Sequence, residues 1–96
     1  TSAIDLVPDD PIPYLNRGAD LAALGKYEAA IADQTEAIRL RPDYADAYEN
    51  RGQDWQALGD NKRAIADYQQ AALLYEQQGE VDAAQRADAR AAALKT

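Results

Sequence analysis

Cysteine, histidine, phenylalanine and methionine are all absent from the 96 residues. Without Cys or His there are no disulfides, no thiolate nucleophile, no imidazole base and none of the usual zinc ligands. The hydroxyls outside the tyrosines are Thr1, Ser2, Thr35 and Thr96, three of them at the chain ends. No pair of carboxylates is singled out for acid–base work. The residues therefore carry no catalytic set, no metal site and no cofactor motif, and the chain reads as a non-enzyme. Lacking cysteine, it suits any redox compartment. No apolar run is long enough to span a membrane, and no secretory signal pattern opens the chain.

Positive charge is also scarce. Seventeen acids stand against ten bases, a net charge of −7. Such a surface repels phosphate backbones and anionic membranes, so nucleic acid and membrane are excluded as partners. It favours a partner presenting Lys or Arg. The apolar fraction, 47%, rests largely on alanine. Alanine favours helix and lets helices approach closely. Thin stacked helices fit this better than a thick-cored α/β domain.

The chain matches itself at an offset of 34 residues. Tyr14, Asn16, Arg17, Gly18 and Asp20 recur as Tyr48, Asn50, Arg51, Gly52 and Asp54. The run Ala30-Ile31-Ala32-Asp33 recurs as Ala64-Ile65-Ala66-Asp67. In all, 20 of the 44 pairs from residue 1 to residue 44 are identical, and the match collapses after residue 74. Each unit reads as two helices. Asp10 caps the first and Pro11 opens it, where a missing N–H costs nothing. Tyr14, Gly18, Leu21 and Leu24 form its stripe. Gly25 ends it in a left-handed conformation. A second helix runs from about Lys26 to Leu40, with Tyr27, Ala30, Ile31, Ala37 and Ile38 on one face, and Pro42 stops it. Gly59 divides the next pair. Gly79 breaks the fourth helix near Gln78. A fifth, Glu80 to Lys95, turns Val81, Ala84, Ala91 and Leu94 inward.

This 34-residue helix–turn–helix unit resembles the tetratricopeptide repeat. The family pattern of aromatic, glycine, tyrosine, alanine and proline is carried by Tyr14, Gly18, Leu21, Gly25, Ala30 and Pro42. The second copy offers Tyr48, Gly52, Trp55, Gly59, Ala64 and Tyr68. The chain departs from the pattern at Arg17 and Arg51, at Gln34 and at Glu76. The resemblance covers residues 3 to 76. It implies an all-α helix-turn-helix repeat solenoid with two such units, residues 10–43 and 44–78. Residues 1–9 would be the tail of a preceding repeat and 79–96 a solvating cap helix.

The resemblance also implies a function. The first helices of successive units line a concave groove that holds a segment of a partner protein. Here the groove would be lined by Ile12, Leu15, Asn16 and Ala19, and by Asp46, Glu49, Asn50 and Gln53. Ala23 and Ala57 would lie at its far end. Asn16 and Asn50 are the sharpest pair, because an amide can bond a partner's backbone whatever its sequence. The carboxylate clamp of the chaperone-binding members fits in neither register. In one, its Lys falls on Leu15 and its first Asn on Ala19. In the other, its Lys and Arg fall on Asp46 and Asn50. Arg17 with Asp33 and Arg51 with Asp67 read as structural ion pairs, and Trp55 and the tyrosines as core. The alternative to groove binding is homo-oligomerisation through the truncated N-terminal repeat face.

Overall fold

The computed structural model describes residues 9–95. The tail of a preceding repeat expected at residues 1–9 therefore lies, apart from Asp9, outside the described residues. Five helices follow in order: α1 Pro11–Ala23, α2 Tyr27–Leu40, α3 Ala45–Ala57, α4 Asn61–Gln77 and α5 Val81–Ala93. There is no strand among the described residues. Each helix packs on the next, and α1 also touches α3. That is the zigzag of a helical repeat array.

Local chemistry sets the ends. The Asp10 carboxylate accepts from the Ile12 amide at 2.9 Å, and Pro11 takes the first helical position. Asp60 caps α4 through the Arg63 amide at 3.2 Å. Gly25 and Gly59 have φ of +77° and +84°. At each, two backbone bonds close the helix end: Gly25 N–H to Ala22 C=O and Lys26 N–H to Leu21 C=O, both 2.9 Å. The second copy repeats them with Gly59 to Gln56 and Asp60 to Trp55. This double closure satisfies carbonyls that a helix C-terminus leaves open.

A third such turn joins α4 to α5. Gly79 has φ +79°, with Gly79 N–H bonded to Glu76 C=O and Glu80 N–H to Tyr75 C=O. Aligned on this glycine, Tyr75 stands where Leu21 and Trp55 stand. Ala84 matches Ala30 and Ala64, and Ala91 matches Ala37 and Ala71. All six alanines are buried. The repeat thus recurs once more at an offset of 20 from Gly59, with α4 as its first helix. A search at 34 passes over it.

Three apolar clusters hold the array. Ala37, Tyr44 and Ala47 join the units, flanked by Tyr14, Leu15 and Ile38. Ala71, Ala72, Tyr75, Ala84 and Ala87 join α4 to α5. Tyr68, fully buried, packs with Ala64 and Ala91 and meets Trp55. The crossing of α3 and α4 is tight: a Cβ on Gly52 would lie 2.8 Å from the Tyr68 ring.

Two expected inward residues point out. Leu24 is 70% exposed, because it is the C-cap and its side chain leaves the helix stripe at the turn. Val81 is 56% exposed, and Ala87 takes the inward place expected of it. Small alanines let α5 lie flat on α4.

Candidate interaction groove

Both Arg–Asp pairs form as bidentate bridges within their units. Arg17 Nε and Nη2 donate to Asp33 at 2.7 Å each. Arg51 donates to Asp67 at 2.7 and 2.9 Å, and its Nη1 reaches Thr35 of the preceding unit at 3.2 Å. The geometry is that of a forked guanidinium on a carboxylate. These four groups tie first helix to second.

The positions on α1 expected to line a groove are apolar and amide in character. Ile12 is 48% exposed, Asn16 and Ala19 are exposed, and Leu15 is half-buried against the inter-unit cluster. Asn50, on α3, is half-buried, and Gln53 beside it is exposed. Among the described residues, neither Asn16 nor Asn50 makes a side-chain hydrogen bond. Ala23 and Ala57 are exposed at the far ends of their helices.

The acids behave differently. Glu49 is only 5% exposed, so it does not present a free carboxylate to the groove. Arg86 on α5 forks onto it, Nε to Oε2 at 2.9 Å and Nη2 to Oε1 at 2.7 Å. Arg90, one turn on, places Nε 3.4 Å from Oε2. The Tyr75 hydroxyl lies 3.0 Å from Glu49 Oε1 and also bonds Asp46 Oδ1. With one hydrogen, it donates to one carboxylate at a time. Burial pushes Glu49 up, but the Arg86 and Tyr75 hydrogen bonds and the two guanidinium charges outweigh it and hold the carboxyl below its usual range. Burial and the two carboxylates push the Tyr75 hydroxyl strongly up, so it stays neutral.

Sequence reasoning missed Arg86 and Arg90. Their only signal was an i, i+4 spacing on a helix outside the 34-residue period. It missed Asp54 too. This carboxylate is 3% exposed, its Oδ2 has no hydrogen-bond partner, and burial raises its pKa to about 7. Its counterpart Asp20 is exposed.

Among the described residues, no group of three or more acids is placed to hold a metal ion. No helix among them is long and apolar enough to cross a membrane. The arrangement offers hydrogen bonds and apolar contact along α1 and α3.

Comparison with known proteins agrees with the fold. The family model described as TPR repeat matches residues 20–53. No curated protein matches the sequence. Two crystal structures of MamA are similar in fold, each with a TM-score of 0.62 and 25% identity over 96% of this chain. The match spans 62% of one MamA chain and 58% of the other, so this chain covers about three fifths of their length. Its repeated Tyr–Gly–Gly–Ala frame, its zigzag of five helices and these matches show an all-α repeat solenoid that is similar to the tetratricopeptide-repeat family.

Proposed function

We propose that the chain is a non-catalytic scaffold that holds a segment of a partner protein along α1 and α3. The observation that carries this is the asparagine pair. Asn16 and Asn50 hold one offset in two units, sit on helices that touch, and keep their amides unspent. Asparagine is a mediocre helix former, and alanine would stabilise either helix better. An amide supplies both a donor and an acceptor, so it can pair with the N–H and C=O of a peptide in the groove. Ile12, Leu15 and Ala19 supply apolar contact beside it. Asp46 and Gln53 edge the second unit's share of the groove.

The test is a double substitution, Asn16→Ala with Asn50→Ala. Peptides selected from a displayed library on the native chain should bind the variant about five- to a hundredfold more weakly, from ~0.5–1.5 kcal/mol per lost hydrogen bond. The melting temperature should hold or rise. A variant that melts earlier and binds normally would show that the asparagines are structural.

A further inference from the structure

We infer that the groove takes an extended, uncharged segment with an apolar side chain at the α1 end, and that positive charge does not select the partner. This rests on the groove reading above and narrows it. The chain's charge of −7 favours a basic partner at first sight. The groove itself is balanced. It holds Asp46 and Glu49 from α3 against Arg86 and Arg90 from α5, gathered with Tyr75 in one cluster. The groove positions on α1, at Ile12, Leu15, Asn16 and Ala19, carry no charge. Arg17 is turned to Asp33 on α2.

An incoming lysine or arginine would have to compete with Arg86 for a buried carboxylate already held by two hydrogen bonds. Removing one partner of such a pair leaves a charge stranded in low dielectric, which costs more than the new contact returns. An incoming carboxylate would meet Arg90, but Glu49 and Asp46 stand beside it. An uncharged peptide meets no such penalty. Asp46 is the groove's one exposed acid among the described residues and already accepts from the Tyr75 hydroxyl. The other exposed acids among them are Asp9, Asp20, Glu28, Asp43, Glu76, Glu80, Asp82 and Asp88. They sit outside the groove positions and are screened beyond ~8–10 Å at moderate salt. The apolar end is set by Ile12 and Leu15, and the backbone contacts by Asn16 and Asn50.

The experiment is an NMR titration of the full ¹⁵N-labelled chain with three blocked hexapeptides, Ac-Leu-Gly-Ser-X-Ser-Gly-amide, where X is Gln, Lys or Glu. The glutamine peptide should shift the side-chain amide signals of Asn16 and Asn50. Its affinity should change less than about twofold between roughly 20 and 300 mM salt, and neither charged twin should bind more tightly. The inference is overturned if the lysine twin binds at least about fivefold more tightly at low salt through the same signals; groove binding would then stand without it. If none of the three moves those signals, the groove reading falls as well. Arg86→Gln together with Arg90→Gln frees Glu49 and should make the lysine twin the best ligand. Equal binding of all three peptides to a folded double variant would also overturn the charge-balance argument.

Discussion

The two helix pairs share one backbone frame and fill it differently. In α1–α2 the slot between the helices holds Gln34, fully buried, whose Nε2 donates to the Leu15 carbonyl at 3.3 Å while Oε1 has no partner. In α3–α4 the same slot holds Tyr68, whose ring fills the crossing and whose hydroxyl donates to Gln56 at 2.7 Å. Leu21 in the first pair becomes Trp55 in the second, with the Arg63 guanidinium 4.8 Å from its ring. Glycine, alanine and the turn set the frame. The aromatic residues set how well it is filled. The second pair should therefore be the stronger, despite its buried Asp54.

The largest test of this contrast is Tyr68→Ala. Truncating a buried aromatic side chain typically costs ~3–5 kcal/mol through lost transfer energy and the cavity left behind. Urea denaturation should show a loss in that range. Gln34→Ala should cost far less, since it also removes an unsatisfied oxygen. Equal losses at the two sites would mean that the slots are energetically equivalent and the contrast is false.

A second, smaller effect lies at Asp54. Its carboxyl titrates near 7 when folded and near 3.9 when unfolded, because burial disfavours the charged form. The folded state therefore holds more protons between those values. Stability should fall as pH rises through that window, stay low above about 7, and carry no such penalty below about 4. Asp54→Asn should stabilise the chain at pH 8 by something on the order of 2–4 kcal/mol, and do so much less at pH 4.5. Melting curves of both proteins at the two pH values decide it. No gain at pH 8 would show that the carboxylate has a partner in solution. Asp20→Asn, at the exposed counterpart, should change little at either pH.

The smallest difference concerns the paired glycines. A Cβ on Gly52 meets the flat side of a buried ring, whereas one on Gly18 meets the far end of Gln34 and, at 3.2 Å, the Ala30 carbonyl. Alanine is worth about 1 kcal/mol over glycine in a helix, and overpacking costs ~1–3 kcal/mol. Gly52→Ala should therefore destabilise the chain by more than Gly18→Ala, by roughly 1 kcal/mol. The reverse order would show that Gln34 yields less easily than Tyr68.

What the sequence made legible was local or periodic. Caps at Asp10, left-handed turns at Gly25 and Gly59 and the two Arg–Asp bridges all follow from spacing within a unit. The shared offset of Asn16 and Asn50 was legible in the same way. What stayed hidden was set by contacts between units or with α5. Glu49 and Leu15 share an offset, yet only Glu49 has Arg86 opposite. Asp20 and Asp54 are the same residue at the same offset, and packing buries one alone. The inward turn of Ala87, in place of Val81, depends on how α5 rotates to lie on α4.

The third glycine turn gives α4 membership of two hairpins. In a linear array each element is stabilised only by its neighbours, so cooperativity depends on how strongly adjacent elements are coupled. A helix that serves as second partner to α3 and first partner to α5 joins those couplings in one body, and neither can be lost without exposing the tyrosines of the other. The C-terminal three helices should then open as a single unit, while α1 and α2 are joined to them through the smaller cluster around Tyr44. Local opening, where it begins, would begin at the end that holds Ile12 and Asn16. The uncharged half of the proposed groove would thus also be the half best able to adjust to a bound segment.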